Sequence, residues 1–279
     1  MKALYRALIL WLALAAGSVQ SAEPLAPLVL TIPSGTAPHW RGISPDEAAG
    51  TQGPTMLYPA PNAAGFLAAV LTHALLVQGR RSAEQKARQA EADQVLKPHA
   101  PTIATLSAEV LLAAAREHLT QPLLEAGRGL VVQMEPRYAL APDGRTLVLD
   151  NALRVHAADM PSVARFETTV RVISPPCDAK DPTAHWLAEG GLALKRESAS
   201  MLAHSIEIAL SPLAPTDAEA FRTQRYRFGH QEKMERGQPV ATGCAGIVLR
   251  TLRDWLMSVP IAPVEGTAKC ADPYGRLAE

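Results

Sequence analysis

Apolar and polar positions along this chain change period several times, and the changes divide it. From Val163 to Ile173 the residues alternate one by one. Ala164, Phe166, Thr168, Val170 and Val172 fall on one side, and Arg165, Glu167, Thr169 and Arg171 on the other. Successive side chains of a strand point to opposite faces, so this segment predicts a strand with one wet face. Thr146 to Val155 has the same period, with Leu147, Leu149, Leu153 and Val155 on one face and Asn151 interrupting it. Leu130 to Leu140 comes before, separated by Pro142-Asp143-Gly144. Proline presets φ and glycine accepts a positive φ, which makes that tripeptide a turn. The three segments predict an antiparallel meander. Phe221 to Phe228 predicts a further strand.

Elsewhere the period is helical. Leu194, Met201, Leu202, Ile206 and Leu210 mark the buried side of a helix over 192–210, ended by Pro212 and Pro215. Asn62 reads as the N-cap of a long helix running to about Leu96. Its first half, 63–77, is apolar nearly all round and contains His73. Its second half is charged, with Ala83, Ala87 and Ala90 as a small-residue stripe and Glu84 and Arg88 as an i,i+4 pair. Pro98 and Pro101 end it, and Thr102 to Leu119 predicts the second arm of a helical hairpin. Residues 243–259 fit helical spacing, although their β-branched content also permits a strand; helix is the preferred reading. The expected fold is α+β, an N-terminal helical hairpin followed by an antiparallel sheet with helices packed on one face. The expected divisions are a leader at 1–22, an extended Pro/Gly-rich arm at 23–61, the hairpin at 62–120, the antiparallel α+β domain at 129–260 and a tail at 261–279.

The leader narrows the setting. Lys2 and Arg6 precede ten uncharged residues, Ala7 to Ala16, followed by Gly17, Ser18, Ser21 and Ala22. A positive start, an apolar run of ~7–15 residues and small residues at the cut have the form of a cleaved export signal. The run falls well short of the ~20 apolar residues that span a bilayer. It contains no cysteine to carry lipid. The expectation is a periplasmic or secreted protein, not a lipoprotein.

Charge and cysteines refine this picture. The whole chain balances 27 basic against 27 acidic residues. Such a neutral surface argues against nucleic acid as the partner. Cys177, Cys244 and Cys270 all follow the leader, and in an oxidising compartment a disulfide is the default. Cys177–Cys244 is the expected pair, since Cys270 lies in the tail.

No motif announces chemistry. The eight histidines are all more than five residues apart, which rules out the zinc-protease spacing. No serine sits in a nucleophile elbow, and no glycine-rich loop joins a strand to a helix. His204 and Glu207 share a helix face at i,i+3, most simply as a surface polar pair. Neither a cofactor nor a metal is expected. Arg222, Arg225 and Arg227 form a basic cluster in which Tyr226 and Phe228 alternate with Arg225 and Arg227, giving a basic strand face that would suit an acidic partner. With His73 in the apolar helix, they are the candidate partner-binding residues. The sequence therefore reads as a non-catalytic, exported envelope protein that binds or helps assemble a protein or cell-envelope partner. One alternative is a periplasmic hydrolase whose catalytic residues come from distant positions and leave no local motif. Another is peripheral membrane attachment through 63–77.

Overall fold

The structure, a computed structural model, describes residues 26–33, 38–45, 47, 84–211, 221–243 and 246–261. The leader, the apolar segment 63–77 with His73, Cys244, Cys270 and the tail from 262 lie outside the described residues.

The described strands are β1 (Val29–Thr31), β2 (His39–Gly42), β3 (Leu130–Leu140), β4 (Leu147–Ala157), β5 (Ala164–Ile173), β6 (Arg222–Phe228), β7 (Gln231–Thr242), β8 (Gly246–Thr251) and β9 (Leu256–Pro260). They join in one sheet of order β1-β3-β4-β5-β9-β8-β7-β6, with β2 also on β3. The expected antiparallel sheet is corrected to a mixed one. β3–β4–β5 and β6–β7–β8–β9 pair antiparallel between chain neighbours. β1 and β2 run parallel to β3, and β9 runs parallel to β5. All the parallel contacts join strands far apart in the chain, and only a long connection can bring a strand back in the same direction.

The helices are α1 (Ala108–His118), α2 (Gln121–Ala126) and α3 (Pro182–Leu210). Ser107 caps α1 by accepting from the Val110 N–H, and Asp181 caps α3 by accepting from Ala184, with Pro182 in the first turn. The expected helix over Thr102–Leu119 is broken. Residues 84–92 are helical, Asp93–His99 tighten to a 3₁₀ stretch that contains Pro98, and Ala100–Ile103 make one further turn before α1. The Thr105 hydroxyl donates to the Thr102 carbonyl and ends that turn. α3 is likewise two helical pieces joined by non-helical residues from Ala188 to Gly191.

The expected helix over 243–259 is corrected: its described residues from Gly246 onward are not helical. They form β8 and β9, joined by a turn at Leu252–Trp255 in which Asp254 has φ +61°. The Thr251 hydroxyl accepts from the N–H groups of Arg253 and Trp255 and fixes that turn. The helical reading failed because every residue of β9 is buried. A strand covered on both faces loses its period-two signature and reads as a continuous apolar run.

α1 and α3 cover one face of the sheet. Val132, Met134, Tyr138, Leu149, Leu153, Val170 and Val172 meet Leu111, Leu194, Met201, Leu202 and Ile206 there. The same strands turn their other residues to a second face. At one end of that face Ala139, Val148, Ile173, Leu249 and Met257 form a smaller apolar cluster with Tyr226 and Phe228 of β6. The β6–β7 hairpin therefore folds over the second face. Its tip meets the β3–β4 turn: Gly229 N–H donates to Thr146 Oγ1 at 2.9 Å and His230 N–H to Asp143 at 3.0 Å.

Candidate functional site

The second face changes character along its length. One end is sealed by the apolar packing of Tyr226 and Phe228. The middle is a belt of charge. Arg171 of β5 makes a two-pronged ion pair with Asp150 of β4, at 2.6 and 2.7 Å, and the side chains are only 29% and 22% exposed. Arg41 of β2 forks onto Glu47 at 2.7 Å on both prongs. Trp255 lies 5.5 Å from the Arg171 guanidinium, a cation–π contact.

These groups act on one another. Burial alone would lower the Arg171 pKa, but the hydrogen bonds and charge of Asp150 outweigh it and the net shift is upward. The Arg41 hydrogen bond holds the Glu47 carboxyl below its ordinary value. Burial pushes the Lys233 ammonium down, and the Arg171 charge adds to that. Burial, with the charge of Glu235, pushes the Tyr226 phenol up to about 12. Lys233 rests on the Phe228 ring at 4.0 Å, so the hairpin carries its own cation over the belt.

Beyond the belt the face opens into a groove of about 630 Å³. Glu135, Arg154 and Glu167 rise from β3, β4 and β5, and Arg253, Asp254 and Trp255 of the β8–β9 turn form one wall. Gln133 and Thr169 add neutral polar groups, and Pro33 closes the rim. The charges are locally balanced. Arg154 lies 3.8 Å from Glu167, Arg137 3.7 Å from Glu135, and Arg250 3.9 Å from Asp254. Arg154 Nε is closed off from solvent and has no hydrogen-bond partner among the described residues.

The helix-covered face holds a different constellation. His204 of α3 bonds through Nε2 to the Ser258 hydroxyl of β9 at 2.9 Å, and through Nδ1 to Glu207 at 3.3 Å. Serine, histidine and carboxylate in that order make the set a hydrolase uses to activate a nucleophile. Its surroundings do not suit that work. Ser258 is 3% exposed and His204 7%. Ser258 stands in a row between Val172 and Val248, beneath α3. The same helix is tied to the sheet by Tyr138 donating to the Ser198 carbonyl and by Asn151 donating to Ser205, both at 2.9 Å. The Ser258–His204 bond is a third tie of that kind. Asn151, which broke the alternation of β4, has its partner on α3.

Among the described residues, those singled out in the sequence do not converge. Arg225 and Arg227 share the outer face of β6, where Arg225 pairs with Glu232 and Arg227 with Asp178. Arg222 has the opposite parity, that of Tyr226 and Phe228, at the start of the strand. Cys177 is half-buried, has no disulfide partner among the described residues, and lines a cavity of about 270 Å³ with His185, Trp186 and Arg196. His204 is buried and Glu207 only 13% exposed, so the pair is not a solvated surface pair. Ser258 was missed altogether, because nothing in the sequence tells a buried strand serine from its neighbours. The groove residues were visible only as the wet side of β5, Glu167 and Thr169. Among the described residues no three side chains are grouped as metal ligands, and no helix is long and apolar enough to cross a membrane. Comparison with models of protein families, with curated proteins and with solved structures found no match.

Proposed function

We propose that this chain is a non-catalytic exported envelope protein that acts as a binding or assembly factor, taking its ligand on the second face of the sheet. One observation carries the reading. An open, charge-bearing concavity spanning several strands lies on that face, whereas the nucleophile–histidine–carboxylate row is closed beneath α3. A nucleophile must meet its substrate, and a side chain packed between two valines under a helix does not. Export is supported by Lys2, Arg6 and the uncharged run behind them. The same reading pairs Cys177 with Cys244, which peptide mapping without reductant would detect as one linked peptide.

Photo-crosslinkers placed at Glu135 and at Arg225, in chain expressed with its leader, test the proposal. Specific adducts at Glu135 that an excess of unlabelled chain suppresses would support it. A chain recovered as a monomer without specific adducts would sink it.

The second reading is a serine hydrolase, favoured by the 2.9 and 3.3 Å contacts of His204. A fluorophosphonate probe would then label the chain, and Ser258→Ala would abolish the label. An unlabelled wild type removes this reading.

A further inference from the structure

We infer that the groove over β3, β4 and β5 binds a neutral oligosaccharide. The inference rests on the binding reading above and names the ligand class. Three features carry it.

The groove lies over the face of β3, β4 and β5, which pair with one another along its length. Side chains that stand off that face therefore meet the ligand first. Next, the charges are of both signs and lie within 4 Å of an opposite one at Arg154–Glu167, Arg137–Glu135 and Arg250–Asp254. A strongly acidic or basic ligand would lose at one half of the groove what it gained at the other. What remains is a ligand rich in both donors and acceptors without net charge. Carboxylates accept from pairs of hydroxyls, and guanidinium groups donate to hydroxyl and ring oxygens. The Arg154 side chain, 38% exposed beside Glu167, offers guanidinium donors to such an oxygen. Finally, Trp255 supplies an aromatic wall for the C–H face of a sugar ring. Arg171 and the Thr251-bonded turn hold that wall in place. A volume of about 630 Å³ lies within the range of small-ligand sites, enough for two or three sugar rings.

Calorimetric titration of the full chain with chitotetraose, cellotetraose and maltotetraose tests this, with hexaglutamate and hexalysine as charged competitors. Saturable binding of one neutral sugar is expected, weakened about tenfold by Trp255→Ala. Glu167→Gln should weaken it by a similar factor, and that side chain is 69% exposed, so the change leaves folding intact even if the tryptophan variant does not. Three results would overturn the inference: no saturable binding of any of the three sugars, sugar binding indifferent to both substitutions, or displacement of sugar by either charged peptide. Specific adducts at Glu135 in a chain that binds no sugar would remove the ligand class and leave the binding-factor reading standing.

Discussion

At Gly191 the chain stands at φ +86°, and a Cβ there would run into the side chain of Thr102. Gly190, one residue earlier, has φ +69° with open space around it. Alanine at either position suffers the left-handed backbone cost of about 1–2 kcal/mol, but only at Gly191 does a steric overlap add to it. Urea unfolding should therefore rank Gly191→Ala below Gly190→Ala in stability, with the gap closing when Thr102 is also alanine. Equal losses in the two single variants would refute the packing argument. The ion pairs separate in the same way, by burial. Arg225 and Glu232 are 70% and 60% exposed, and such a pair contributes at most ~1 kcal/mol. Asp150 is mostly covered and accepts two bonds from Arg171. Asp150→Ala should cost about 1.5–3 kcal/mol, because Arg171 keeps its charge and loses both acceptors. Arg225→Ala should fall within ~1 kcal/mol of wild type in the same melts.

Among the elements, the β6–β7 hairpin depends most on a few contacts. Its tip is held by Asp143, whose carboxylate accepts from His230 N–H and from Arg145 N–H, and by the Arg145 Nε–H donated to His230 Nε2 at 2.7 Å. Asp143→Ala should speed amide exchange at Gly229, His230 and Lys233 at least tenfold while leaving β4 and β5 protected. Uniform exchange changes across the sheet would contradict a local pin. The hairpin also marks where the sequence stopped being readable. β5 shows its strand in its own alternation, because one face is dry and the other wet. In β7 the two faces are Glu232, Met234 and Arg236 against Lys233 and Glu235, so neither is apolar and no period stands out. β9 fails for the opposite reason, with both faces dry. The break in α3 was equally hidden. Glycines such as Gly190 and Gly191 are tolerated in many helices at a modest cost, and only the positive φ of both and the approach of Gly191 to Thr102 give them a purpose.

For the whole molecule, the site was less legible than the fold, since it is made where strands distant in sequence meet. Glu135, Arg154 and Glu167 each look like ordinary wet-face residues, and only the registers Gln133↔Arg154 and Arg154↔Glu167 place them side by side. The charge belt has the same origin, and with the buried His99 it shapes how the protein responds to acid. His99 is 2% exposed, and burial lowers its pKa below the ordinary 6.5. Below about 6.5 the unfolded chain takes up a proton at this residue that the folded chain refuses. The unfolded state then binds more protons, and unfolding free energy falls as pH drops until the folded pKa is reached. Glu47 adds a second window. Arg41 holds its folded pKa below the ordinary 4.5, so its contribution is complete above 4.5 and is lost as pH falls through the folded value. Melting temperature should therefore decline in two stages as pH falls from 7, the first below about 6.5 and the second below 4.5. His99→Gln, which cannot titrate, should flatten the first stage and leave the second, while Glu47→Gln should do the reverse. A melting temperature that rises between pH 7 and pH 5.5, or a first stage that survives in His99→Gln, would show that the histidine is not the group whose burial resists the proton.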